Sequence, residues 1–319
     1  MELDFAPMEG ITTCIFRRVH RELFPGADRY YAPFLAPDGS GRCKENSLRD
    51  LLPENNRGGL PVPQILCNRA EAFLALSRRL KELGYEEVNL NAGCPSATVV
   101  PKHKGAGMLA DLESLDRFLE EVFGFCPLRV SVKTRMGMEN VTEFPAILEI
   151  YNKYPISLLI IHARDRSGMY RSEPDLDDFS EAFRASRNPV CFNGDLFDSG
   201  KAARLKGLVP DCRHWMLGRG AVADPALFRE LRAGPALEEE ELREFLERLL
   251  SETISSGLSE AYALGRMKEI WYYTRHLFPG GEKEMKRVLK SRSRAEYRQA
   301  VGVLFSSECF RSGAHFESK

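Results

Sequence analysis

The feature that most constrains this chain is a repeated alternation. Short runs of β-branched and aliphatic residues recur through the first 220 residues, and most are separated by stretches with helical spacing. The runs are Leu3–Phe5, Arg29–Ala32, Val62–Leu66, Glu87–Asn91, Arg129–Thr134, Leu158–His162, Val190–Phe192 and His214–Leu217. Between them, Ala70–Leu83 sets Phe73, Leu76, Leu80 and Leu83 at helical intervals, and Leu112–Phe123 repeats this with Leu115, Leu119 and Val122. Strands alternating with helices imply βαβ units and a parallel sheet. Eight such units in about 230 residues suit a (β/α)8 TIM barrel, whose usual size is roughly 250 residues. A doubly wound sheet is the alternative, but it would place a Gly-rich phosphate turn after the first strand. Here that position holds Ala6-Pro7-Met8-Glu9-Gly10. The least regular unit is the second, where Pro, Gly and Asn crowd residues 33 to 63.

The strand pattern stops after Gly234-Pro235, and a boundary is expected there. Residues 1–234 form the barrel and residues 235–319 a small all-helical C-terminal domain, opened by Leu242, Phe245, Leu246, Leu249 and Leu250 on one helix. Charge divides along this region. Residues 238 to 260 hold eight Glu against two Arg, a net of −6, and residues 262 to 298 hold ten basic against four acidic residues, a net of +6. The whole chain is near neutral at −1, so a polyanionic partner shows only as this local patch. A solvated helix face competes with that reading. Trp271-Tyr272-Tyr273, set among Leu264, Met267 and Leu277, is expected in the helical core.

The eight cysteines are dispersed, with no C-x-x-C pair, and no signal-peptide pattern opens the chain. They are expected to be reduced thiols in a cytoplasmic protein. No apolar run is long enough for a membrane helix, and no histidine pair has metal-ligand spacing, so no membrane and no metal are expected.

In a parallel barrel the catalytic groups stand where strands end. The runs here end in Pro7-Met8, Pro33, Gln64, Asn91, Lys133 with Arg135, His162 with Arg164, Asn193-Gly194-Asp195, and Gly218-Arg219-Gly220. This polar set suits a planar, phosphorylated ligand. The last two groups fall where barrels often bind phosphate, with glycines for close backbone approach and Arg219 for charge. Lys133 could stabilise negative charge on a reduced ring or form a Schiff base. Asn91-Ala92-Gly93-Cys94-Pro95 sets a thiol in a constrained turn at a strand end. Ser96 to Gly107, with Lys102, His103 and Lys104, is expected to be a mobile basic loop over it. A thiol of ordinary pKa is mostly protonated at neutral pH and can donate a proton.

With these residues in place, the chain resembles the tRNA-dihydrouridine synthases. The motifs are Ala6-Pro7-Met8-Glu9-Gly10-Ile11-Thr12, Pro63-Gln64, Asn91-Ala92-Gly93-Cys94-Pro95, Lys104-Gly105-Ala106-Gly107, Val132-Lys133-Thr134-Arg135-Met136-Gly137, His162-Ala163-Arg164 with Tyr170, Asn193-Gly194-Asp195, and Met216-Leu217-Gly218-Arg219-Gly220-Ala221. They run in order from Ala6 to about Pro225. Arg171-Ser172-Glu173 departs from the family pattern, where Gly and Ala are common.

The resemblance implies a tightly held FMN, NADPH as reductant and tRNA as substrate, with Cys94 protonating carbon 5 of a uracil whose carbon 6 takes a hydride. It implies cofactor contacts from Pro7, Met8, Glu9, Gln64, Lys133 and His162 around the ring. Asn193, Gly194, Asp195, Gly218 and Arg219 would hold the ribityl phosphate, and Asn91 and Arg135 would face the uracil or its backbone. Lys286, Arg287, Lys290 and Arg292 are the expected RNA contacts. Competing readings are a small-molecule flavin reductase of the dihydroorotate or dihydropyrimidine type, dihydrouridine formation in ribosomal RNA, a Lys133 aldolase, and an RNA-binding module without catalysis.

Overall fold

The computed structural model describes residues 1–169 and 173–313. Tyr170, Arg171 and Ser172 of the departing motif lie outside the described residues. Eight strands form: β1 Glu2–Phe5, β2 Arg29–Tyr30, β3 Gln64–Ile65, β4 Glu87–Ala92, β5 Arg129–Arg135, β6 Leu159–His162, β7 Val190–Asn193 and β8 His214–Leu217. Each expected run overlaps one of them. They are parallel neighbours in the order β2-β1-β8-β7-β6-β5-β4-β3. Bridges from Tyr31 to Val62 and from Leu35 to Ile65 join β2 to β3 and close the (β/α)8 barrel. Across that seam the Ala32 N–H donates to Val62 O at 2.9 Å and the Leu35 N–H to Gln64 O at 2.8 Å.

Near-continuous apolar runs are what such strands require, because a barrel strand is covered on both faces. Ala6, Tyr31, Leu158, Ile160, Cys191 and Met216 cluster in one small core, while residues such as Phe73, Leu76, Leu119 and Val132 belong to the larger one. The Pro- and Gly-rich second unit carries only a five-residue helix, Glu45–Arg49, and a 3-10 turn, Pro53–Asn55. Polar contacts replace the missing helix packing. Buried Arg17 donates to Asp50 Oδ2 at 2.8 Å, to Asp50 O at 2.9 Å and to Asn56 Oδ1 at 2.8 Å. Asp50 Oδ1 in turn accepts from the Cys14 N–H at 2.5 Å.

Beyond residue 234 the described residues form helices at Glu239–Ser255, Glu260–Thr274, Glu282–Lys290 and Arg294–Phe305. The first packs on the barrel helix Cys14–Leu23, with Phe245 set edge-on to Phe16 at 5.5 Å and to Phe24 at 5.4 Å. Ion pairs reinforce the seam: Arg18 with Glu252, and Arg248 with both Glu22 and Glu252. Part of the acidic run thus ties the helices to the barrel. No described helix is long and apolar enough to cross a membrane.

Phe245→Ala would open a cavity where barrel and helices share one core. We expect a loss of about 3–5 kcal/mol in denaturant unfolding, within a single transition. Two transitions, with only the later residues destabilised, would show instead that the segments do not share a core.

Candidate active site

All eight strands point the same way, so their carboxyl ends meet at one rim. Two cavities open there and share Pro7, Met8, Lys133 and His162. The larger, about 480 Å³, is bordered by Glu9, Gln64, Asn91, Cys94, Arg135 and Tyr273 among others. The narrower, about 90 Å³, is bordered by Asn193, Gly194, Asp195, Gly218, Arg219 and Gly220. All twelve residues expected to carry catalysis or hold a cofactor border one or both, as do Asn91 and Arg135.

The floor of the larger cavity is a hydrogen-bonded ladder across β3, β4 and β5. The Gln64 side-chain amide donates to Asn89 Oδ1 at 2.7 Å, and Asn89 donates to Ser131 Oγ at 3.0 Å. Asn91 donates to Gln64 Oε1 at 2.8 Å. Its own Oδ1 accepts from the N–H groups of Gly93, at 3.1 Å, and Cys94, at 2.9 Å. Asn91, expected to face a substrate, borders this cavity. Its side chain builds the turn that presents Cys94.

Arg135, also expected to face the substrate, borders the same cavity. It is buried, and it donates to three carbonyls: Gly93 O at 3.0 Å, Asp165 O at 2.7 Å and Met169 O at 2.9 Å. The basic segment expected to be mobile lies against the turn of Cys94. It forms 3-10 turns at Val100–Lys102 and Gly105–Ala110, and the Ala106 N–H donates to Cys94 O at 3.0 Å. Gly105 has φ +57°, and a Cβ there would meet Cys94 Cβ at 2.9 Å. Only glycine lets this loop pack under the thiol. Cys94 is half-buried, and burial raises its pKa above the ordinary thiol value.

Around the narrower cavity the chemistry is cationic. Lys133 Nζ donates to Asn193 Oδ1 at 2.7 Å, and Asn193 donates to Met216 O at 2.8 Å. Burial, then repulsion from Arg135, lowers the Lys133 pKa to about 8. Burial and four neighbouring cations hold His162 neutral, far below its ordinary pKa. Both carboxylate oxygens of Asp195 are taken, one by Arg164 and one by Arg219. Burial raises its pKa, but the two arginines outweigh this and keep it ionised. Asp195, expected beside a phosphate, borders the narrower cavity as a carboxylate that holds Arg219. Gly220 permits the close stacking of this turn, since a Cβ there would lie 2.2 Å from Leu196 O.

Lys286, Arg287, Lys290 and Arg292 stand elsewhere, on and after the helix Glu282–Lys290. They lie toward solvent, and Met285 and Val288 fill the helix's buried side. Of the other bases in that region, Lys268 bonds Ser291 O, Arg298 pairs with Glu247, and Arg266 reaches back to Gly10 O at 2.9 Å. Tyr273 is a site residue that the sequence reading places in the core. Trp271 is core, as expected, and donates to Tyr297 Oη at 2.8 Å, but Tyr272 is exposed and Tyr273 borders the larger cavity. Helical geometry is the available signal, because three consecutive residues fan over about 200° and cannot share one face. No group of three or more metal-ligating side chains occurs among the described residues.

Lys133→Met removes a cation that the fold disfavours. It should raise stability at pH 7 by about 1–2 kcal/mol, discounted for the open side of the cleft. The native chain releases this proton near pH 8 while the unfolded chain keeps it to about pH 10.5, so wild-type stability climbs through that window and the gap to Lys133→Met closes. Urea midpoints at pH 7 and pH 10 check this, and a gap that widens with pH would refute it.

Comparison with known proteins shows the family. The family model for dihydrouridine synthases matches residues 4–300. A Pseudomonas syringae protein named tRNA-dihydrouridine synthase B is 28% identical over 283 residues, covering 85% of this chain and 82% of that protein. A Ralstonia nicotianae protein named tRNA-dihydrouridine(16) synthase is 31% identical over 239 residues, 72% of each. Among solved structures, morphinone reductase aligns with a TM-score of 0.52 at 15% identity, covering 76% of this chain and 88% of that one. An Old Yellow Enzyme from Pichia sp. aligns with a TM-score of 0.51 at 12% identity, covering 75% and 86%. These two show a shared barrel fold. By the extent of the family match, this chain belongs to the dihydrouridine synthase family.

Proposed function

We propose that this protein reduces uridine in tRNA to 5,6-dihydrouridine, with bound FMN and with NADPH as reductant. The observation that carries the proposal is the joining of two unlike cavities through Pro7, Met8, Lys133 and His162. One end has a cation and glycine-lined backbone, and the other has amide donors and a thiol. A phosphorylated planar cofactor fits that pairing. The fit is tested by Gly218, where a Cβ would meet Ala6 Cβ at 3.3 Å and Met8 Sδ at 3.6 Å, so the glycine keeps the cleft open.

On this reading Asn193, Gly194, Gly218 and Arg219 hold the phosphate, and Asp195 fixes Arg219. Pro7, Met8 and Glu9 would border the ring edge, Gln64 and Lys133 would donate to it, and His162 would stand between the two ends. A flavin held by these residues would supply, when reduced, the hydride for carbon 6 of a uracil. Cys94 gives its proton to carbon 5: the S–H bond breaks, a C–H bond forms, and the thiolate recovers a proton from solvent. A pKa raised by burial suits this role, because it keeps the thiol protonated. Asn91 and Arg135 fix the wall on which Cys94 stands. A uridine in folded RNA must swing out of its stack to reach this depth.

Residues 235–319 are the proposed RNA-binding helical domain. Lys283, Lys286, Arg287 and Lys290 recur at three- and four-residue intervals on the solvent side of one helix. This favours RNA over a small dihydropyrimidine substrate, which needs no such face. The relatives' printed names support tRNA over ribosomal RNA.

Cys94→Ala should keep FMN and RNA binding while dihydrouridine formation falls by about 10²–10⁴-fold. Wild-type turnover would remove Cys94 from the mechanism. Replacing Lys286, Arg287, Lys290 and Arg292 with Gln should weaken tRNA binding and leave NADPH oxidation intact. The plot of log affinity against log salt should flatten by about 0.7–0.9 for each phosphate that is no longer neutralised. An unchanged slope would return this face to a solvated role.

A further inference from the structure

Arg164 follows β6 and borders neither cavity, and only 2% of it is exposed. One arm of its guanidinium, Nη1, lies 3.0 Å from His162 Nε2. The other arm pairs with Asp195, whose second oxygen pairs with Arg219. A guanidinium carries donors only and stays protonated. The ring nitrogen facing it must therefore accept, which leaves the ring proton on the far nitrogen.

We infer that Arg164 is a positioning residue that fixes His162 as the neutral tautomer protonated on Nδ1, and that Asp195 locks Arg164 and Arg219 into one bridge between the two ends of the cleft. The charged groups around His162 favour the same state. Lys133 and Arg135 face it from β5, Arg164 from its own strand end and Arg219 from the turn after β8, all of them cations. A second ring proton would have to sit on Nε2, against the guanidinium. His162 is thus a hydrogen-bond donor held neutral, which leaves proton delivery to Cys94. This last consequence rests on the proposed uridine reduction, whereas the tautomer does not.

The test uses full-length protein with ¹⁵N-labelled histidine, read by long-range ¹H–¹⁵N correlation from pH 6 to 9 without cofactor. His162→Gln assigns the signal. In the wild type, Nδ1 should show the protonated signature and Nε2 the unprotonated one, with no change across that range. Arg164→Lys, which also only donates at this position, should keep the pattern. Arg164→Met should lose it, to the Nε2–H form or a mixture. If the buried Asp195 prevents Arg164→Met from folding, Arg164→Met combined with Asp195→Asn removes both charges and is read the same way.

In the assay with tRNA, Arg164→Met should lower kcat about tenfold with KM for tRNA unchanged, and Arg164→Lys should recover most of it. A wild-type ring protonated on Nε2, a cationic ring at pH 7, or an unchanged tautomer in either methionine variant overturns the inference. Absent activity in every form, with the tautomer as expected, overturns the proposed reaction and leaves the positioning role standing.

Discussion

Four cationic side chains, Lys133, Arg135, Arg164 and Arg219, crowd around one buried histidine where β5, β6 and β8 end. The rest of the site depends on how this charge is managed. Arg135 disperses its charge over three backbone carbonyls. Arg164 and Arg219 share the carboxylate of Asp195. Lys133 meets the neutral oxygen of Asn193, and its lowered pKa reflects burial and repulsion from Arg135. A rim built this way favours an anion in the cleft, and a low-dielectric setting strengthens that preference. On the proposed function, a phosphate at one end and negative charge on a reduced ring in the middle would both answer it.

The barrel makes such crowding tolerable. Parallel strands fixed by buried apolar faces hold the rim residues in place, so repulsion among them is met by a rigid frame. The same frame places Cys94. Its turn is built from below by the side chain of Asn91 and from the side by the Gly105 loop, so the thiol's position follows from β4 and this loop, with the Ser96 backbone N–H facing the sulfur. The helices after residue 234 complete the wall, with Tyr273 at the cavity and Arg266 on the carbonyl of Gly10.

Much of this is legible in the sequence because it is local. Each strand run announces itself by composition, and each rim residue follows directly from the end of its run. What escapes depends on contacts between distant segments. Nothing near Asp195 says that its oxygens belong to Arg164, 31 residues away, and Arg219, 24 residues away. The hydrogen-bond partners of Asn91 and Arg135 likewise lie on other segments. The segment after Cys94 looks loose by composition, with three basic residues and two glycines, yet those glycines allow it to pack tightly. Tyr273 comes to the rim from a helix that the strand pattern does not reach.

The central claim is that the cation and glycine end of the cleft holds the phosphate of a flavin. The most direct measurement compares FMN with riboflavin, which lacks only that phosphate, by quenching of flavin fluorescence on titration with cofactor-free protein. The account predicts that FMN binds at least about a hundredfold more tightly, the effect of two charge-assisted hydrogen bonds. Equal affinity for the two, or no binding of either, would contradict it.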